Sequence, residues 1–514
     1  MESTALRLSQ LPQTTKLFSD YLDHFERVAE FYTHSPHDPA SFSRATERID
    51  CPPERRAAMV AALAEQNGDL PALATLAQPG AVAVVTGQQV GLFSGPCYSI
   101  YKALTALNLA RQLSDSGIPA APVFWLATED HDFAEVNHCW VFDAAHQPVR
   151  LEVSTPDSER RPVGGIPIER PPIEALAEAM KDFPFAEETI ALVAKAYQPG
   201  ATMGAAFAAL FRQLLPGLLI LDPMQPAMRR LAAPLLRQAV EAAPRLAARL
   251  AERNNRLVAA GYHAQVQWDE NTSLVFLLEN GKRLTLDRRD RDYAALAARA
   301  DDLSPNALLR PVVQDFMLPT VAYVGGPAEI AYFAQSQVIY AELGRPMPVE
   351  VSRQGATLLD ARSTKRLERY HLSLPDFFEG EQAVRERIAA TLVPPELASA
   401  IAKAQSTSAS ALDSLGAALT GFDPTLVAAF ATSRRKITWQ LSKIERKTAR
   451  ESLRRNQRVT ADAAALTGLL CPQKHLQERF YSILPFLARH GTELIDRLSQ
   501  ELTPAAPDHR ILTL

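Results

Sequence analysis

The run Ala81–Thr86, AVAVVT, constrains the fold more than any other part of the sequence. It is continuously apolar and rich in β-branched residues, which fits a strand buried on both faces. A glycine-rich turn follows, GQQVGLFSGP from Gly87 to Pro96. The spacing then predicts an amphipathic helix from about Pro96 to Ser114. Ile100, Leu104, Leu107 and Leu113 mark its buried side, Pro96 suits its first turn and Ser94 suits its cap. After Gly117 and Pro119, the run PVFWLA from Pro122 reads as a second buried strand. Strand, turn, helix and strand make a βαβ unit, the repeat of a doubly wound parallel sheet.

Further buried strands are expected at Leu218–Asp222, at Thr320–Gly326 and at Pro346–Val351, with a helix from about Pro327 to Leu343. The expected class is α/β: a Rossmann-like doubly wound core with two connecting insertions, followed by a C-terminal α-helical coiled-coil domain. Residues 1–138 would hold N-terminal helices and the first half of the core. A first insertion would span 139–200, a core helix and strand 201–222, a second insertion 223–300, and the second half of the core 301–371. Asn280-Gly281 marks a hairpin inside the second insertion. Residues 372–460 read as helical, and 461–514 as a segment packing back on the core. Val427, Phe430, Ile437, Leu441 and Ile444 follow the spacing of a helical hairpin or short coiled coil.

Composition excludes several classes. At 514 residues the chain exceeds one ordinary core. Lys+Arg of 54 against Asp+Glu of 58 leaves no global basic field for nucleic acid. Arg434–Arg458 is locally basic, with ten Lys/Arg against Glu445 and Glu451, and reads first as the wet face of a helix. Cys51, Cys97, Cys139 and Cys471 form neither a disulfide framework nor a zinc ribbon. No apolar run is long enough to span a membrane, and the N-terminus has no signal-peptide pattern, so the expected compartment is the cytoplasm.

Three strand ends carry the polar residues that chemistry needs. The turn Gly87–Pro96 would let a ligand anion approach backbone and a helix start, although it is neither a Walker A loop nor GxGxxG. Thr128-Glu-Asp-His-Asp132 follows the second strand. Alternation would put Asp130 and Asp132 on one face and Glu129 and His131 on the other, with Glu135 and His138 within reach. Such a set could supply a general base, and less readily a metal site. Gly325-Gly-Pro-Ala-Glu329 is the third strand end; Tyr332 and Gln335 lie further along its helix, and Arg353 after the next strand could grip a carboxylate or phosphate. Cys97 reads as a small buried residue rather than a nucleophile.

Taken together, TGQQVGLFSGPCYSIYKA, PVFWLATEDHDFAEVNH, GYHAQV, RPVVQDFMLPTVAYVGGPAEIAYFAQ and PMPVEVSR resemble the bacillithiol biosynthesis cysteine-adding enzymes, BshC. The resemblance implies joining the carboxyl of L-cysteine to the amine of glucosaminyl malate. It also implies activation by ATP or another nucleotide, no structural metal, and a homodimer formed through the coiled coil. The expected catalytic set is Asp130, His131, Asp132 and His138. The expected substrate- or nucleotide-binding set is Gln88, Gln89, Ser94, Gly95, Tyr98 and Lys102, with Gly325, Gly326, Glu329, Tyr332 and Arg353 from the second half. Two other readings compete: a nucleotide-sugar glycosyltransferase using Asp130 and Asp132 as a metal motif, and a nucleotide-binding coiled-coil adaptor.

Overall fold

The computed structural model describes residues 2–155, 158–269, 272–286, 292–423, 425–455, 457–504 and 508–514. Pro156 and Asp157 of the first insertion, and Asn456 and the Arg458 side chain of the basic segment, lie outside the described residues. The chain forms two compact units: 1–144 with 148–358 and 477–514, and 145–147 with 359–476.

The first unit is built on a five-stranded parallel sheet. Its strands are β1 (Val82–Gln88), β2 (Ala120–Leu126), β3 (Leu219–Leu221), β4 (Thr320–Gly325) and β5 (Val349–Ser352). Their spatial order is β5-β4-β1-β2-β3, so successive crossovers reverse direction between β1 and β4. Ligands of such sheets bind outside the carboxyl ends of the strands at that reversal. Side-chain alternation loads both faces. Ala83 and Val85 of β1 join one core with Trp125 and Tyr323, while Val82 and Val84 join the other with Val321 and Val324. This is why the strands read as unbroken apolar runs.

Helix α1 (Tyr98–Asp115) connects β1 to β2. It is buried on nearly all sides through Ala110, and Leu107, expected in its buried stripe, is only half-buried. The amphipathic expectation fails because the C-terminal segment covers the outer face: Asn108 donates to Ser499 O at 2.6 Å and Leu502 O at 2.9 Å. Helix α2 (Arg310–Met317) precedes β4, and α3 (Pro327–Glu342) follows it. The first insertion begins with the antiparallel pair His138–Phe142 and Pro148–Glu152. In the second, Asn280 and Gly281, both left-handed, turn the hairpin Val275–Glu279/Lys282–Thr285. A separate sheet gathers Glu2–Arg7, Asp508–Thr513 and Gly355–Leu359, so the two chain ends pair with each other.

The second unit is helical over most of its length. Helices α4 (Pro395–Phe422) and α5 (Leu426–Arg454) pair as an antiparallel hairpin. Arg434 bonds Asp413 at 2.6 Å, and Gln405 bonds Glu445 at 2.8 Å. Val427, Ile437 and Ile444 of the expected apolar row are exposed on α5, as is Trp439. Among the described residues no helix is long and apolar enough to cross a membrane.

Candidate functional site

A cavity of about 810 Å³ opens at the carboxyl ends of β1, β2 and β4. Its lining includes Gln88, Gln89, Tyr98 and Lys102 from the first half of the core, and Gly326, Glu329, Tyr332 and Arg353 from the second. Asp130 and His131 line it too. Ser94, Gly95, Asp132, His138 and Gly325 do not.

The glycine turn itself is closed. Val90, Leu92, Phe93 and Ser94 are fully buried, so only Gly87–Gln89 reaches the cavity. Phe93 packs edge-on against Tyr197, and Ser482 donates to Phe93 O at 2.9 Å. Gly95 takes a left-handed φ of 62°, and a Cβ on Gly91 would stand 2.9 Å from Gly95 Cα. These glycines let the turn fold on itself, not on a ligand. Ser94 is not a cap; its hydroxyl lies 3.3 Å from Ser482 Oγ. The first amide of the next turn, Cys97 N–H, donates to Tyr481 O at 2.7 Å. Gly326 N–H is likewise taken, by Glu329 Oε2 at 2.7 Å. The cap amide of each helix start is thus taken, and the closed glycine turn does not fit the phosphates of a nucleotide. Cys97 is fully buried and burial pushes its thiol far up, so it is inert.

Lys102 ties the reversal point together. Its ammonium donates to Gly87 O at 2.8 Å and Gln88 Oε1 at 3.1 Å and ion-pairs with Glu329. Three donors meet three acceptors, which leaves none for a ligand. Burial pulls the lysine pKa down against the pull of Glu329. Burial also pushes Glu329 up, but Lys102, Gly326 N–H and Tyr323 outweigh it and hold the carboxyl below its ordinary value. Arg353 is a buried pair partner, not a free clamp. It meets Glu478 through two bonds of 2.6 and 3.1 Å, with its guanidinium over the Tyr98 ring at 5.3 Å. Gly325 lies beneath, accepting Arg353 N–H at 2.8 Å.

The acidic loop departs from simple alternation because β2 ends at Leu126 and the chain turns at once. Glu129, Asp130 and His131 therefore all line the cavity. Asp132 is exposed and caps the short helix Phe133–Val136 through Glu135 N–H at 3.3 Å. His138 begins the next strand, against Asn137 at 3.1 Å. Asp130 and Asp132 thus do not converge, which removes the geometry of a paired-aspartate metal motif. Glu129 is held by Arg229 at 3.1 Å, and burial raises its pKa. Gln89 donates to Asp130 Oδ2 and Glu135 Oε2, each at 2.6 Å. Asp130 Oδ1 also accepts His131 N–H at 2.7 Å.

Sequence reasoning missed the arginines. Arg283, from the second insertion, donates to Pro305 O at 2.8 Å and stands 3.9 Å over the Phe276 ring. Its Nη1 lies 3.3 Å from His131 Nδ1. Guanidinium only donates, so Nδ1 accepts and a neutral His131 carries its proton on Nε2. Burial and the Arg283 charge both lower the His131 pKa. Arg310 donates to Gln314 at 2.8 Å and Tyr332 at 2.9 Å. Arg310 opens the stretch RPVVQDF and Arg283 lies just past the hairpin turn, so both had a faint signal. Arg479, in an apolar tail, had none.

A parallel sheet of this order with a cavity at its reversal point defines a Rossmann-like α/β protein. Residues 1–354 match the family "Bacillithiol biosynthesis BshC, N-terminal Rossmann-like domain", and 356–514 match "Bacillithiol biosynthesis BshC, C-terminal coiled-coil domain". The chain belongs to the BshC family. It is 53% identical over 525 residues to the "Putative cysteine ligase BshC" of Solibacter usitatus, covering 100% of each chain. Relatives of the same name from Koribacter versatilis and Symbiobacterium thermophilum are 36% and 34% identical, with 98% and 94% of each chain covered.

Proposed function

We propose that the chain joins the carboxyl of L-cysteine to the amine of glucosaminyl malate, forming the amide of bacillithiol. End-to-end likeness to proteins named for cysteine ligation supports the reaction class. The observation that carries the site is Asp130, a carboxylate facing the same cavity as an arginine wall. The C–N bond forms as the amine loses a proton and one oxygen of the cysteine carboxyl departs, an oxygen that ATP would first convert into a leaving group. Asp130 bonds Gln89 and His131 N–H and ion-pairs with Arg283 at 3.6 Å, and its carboxylate keeps further lone pairs, so it is the group that holds the amine and takes its proton. His131 Nε2–H is a donor, and its part is to polarise an oxygen rather than to act as base. The nucleotide that activates the carboxyl would be held outside the glycine turn, which is closed. The exposed Val427, Ile437, Trp439 and Ile444 of α5 support a second copy of the chain as partner.

The purified chain is tested with L-cysteine and glucosaminyl malate, with and without ATP, by mass spectrometry of the amide. Wild type is expected to form it, and Asp130→Asn to lower kcat about a hundredfold or more. Full activity of the variant would remove Asp130 from the mechanism. No amide under either condition would overturn the ligase reading.

A further inference from the structure

The short C-terminal segment 477–481 is fastened to the core on both sides. Gln477 bonds Leu358 in both directions, accepting at 2.7 Å and donating at 2.9 Å. Glu478 takes both arms of Arg353 and accepts Ala356 N–H at 3.1 Å. Phe480 stacks on Trp140 at 4.7 Å, and Tyr481 O accepts Cys97 N–H. Between these anchors Arg479 enters the cavity. Among the described residues lining it, Arg479 is the cation with neither hydrogen bond nor ion pair to the protein. Lys102, Arg283, Arg310 and Arg353 are each committed as described above. Partial burial and the neighbouring Arg353 charge lower the Arg479 pKa, with Glu478 opposing, which marks a positive charge the fold does not neutralise.

From this we infer that Arg479 is the carboxylate anchor of the cavity, holding a non-reacting carboxylate of the amine-bearing substrate. This rests on the ligase reading for the identity of that substrate. A planar guanidinium offers a two-pronged fit to a carboxylate. A phosphate chain would need several converging donors, and the other cations of the cavity are committed within the fold. Because Arg479 holds no partner in the fold, truncating it should leave the fold intact. The segment therefore has two adjacent roles: Glu478 positions Arg353, and Arg479 meets the ligand.

Calorimetric titration of the full chain tests this with four probes: glucosaminyl malate, L-malate, methyl glucosaminide and inorganic phosphate. Arg479→Ala is expected to weaken glucosaminyl malate and L-malate by about ten- to a hundredfold. Methyl glucosaminide, which has no carboxylate, should bind unchanged, and Arg479→Lys should recover part of the loss. In turnover, KM for the acceptor should rise more than kcat falls. Equal affinity of wild type and Arg479→Ala for glucosaminyl malate would overturn the anchor, as would equal loss for methyl glucosaminide or an Arg479-dependent preference for phosphate. Arg479-dependent binding without ligation would keep the anchor and sink the ligase reading. Ligation by Arg479→Ala at an unchanged KM would do the reverse.

Discussion

Asp315, on α2 beneath the cavity, accepts hydrogen bonds from Tyr340 and from Gln314 at 2.8 Å. Burial nonetheless raises its pKa from 3.8 to about 6, so the fold favours the neutral acid. Its contribution to stability is complete below about pH 4 and is lost as pH rises through about 6, up to about 3 kcal/mol in all. Urea unfolding of Asp315→Asn is expected to show a shallower loss of stability than wild type across that window; parallel profiles would contradict the assignment. Charge at single positions was legible in the sequence, but its commitments were not. Lys102 and Arg353 stood out beside strand ends, yet each is saturated by a carboxylate from a distant stretch, Glu329 and Glu478. Asp130 was legible because it follows a strand end. Its distinction from Asp132 depended on where β2 stops, a matter of one or two residues.

At the level of elements, β1, β2 and β4 were legible because burial on both faces leaves unbroken apolar runs. The role of the glycine turn was not, because close backbone packing and ligand approach ask for the same residue. Gly355 shows the first use outside that turn. A Cβ there would stand 2.7 Å from His509 Nδ1 and 2.9 Å from Glu478 Oε2. Both acceptor and ring are buried, and His509 also bonds Thr357 at 2.7 Å, so neither can simply swing away. Gly355→Ala is expected to lower stability by about 1–3 kcal/mol. It should also lower activity, because Glu478 would no longer hold Arg353 beside Tyr98. A thermal melt and a turnover assay check both; an unchanged melting temperature with full activity would show that the segment tolerates displacement.

At the scale of the whole molecule, sheet order and chain return explain what the sequence order concealed. The cavity draws on residues from Gly87 to Arg479, so the last stretch of chain is part of the site and not a trailing support. The exposed apolar residues of α5 belong to the helical unit, where Ile437 is 42% and Ile444 54% exposed in the single chain. Ile437→Asp with Ile444→Asp is expected to convert a dimer to a monomer by light scattering; an unchanged mass would place assembly elsewhere. We place cysteine addition at the β1–β4 reversal point. It is tested most directly by mass spectrometry of low-molecular-weight thiols in cells lacking this gene, complemented with wild type or with Asp130→Asn. The expected result is loss of bacillithiol and accumulation of glucosaminyl malate, reversed by wild type and not by the variant. Unchanged bacillithiol, in a host that makes it and has no second copy, would contradict the account.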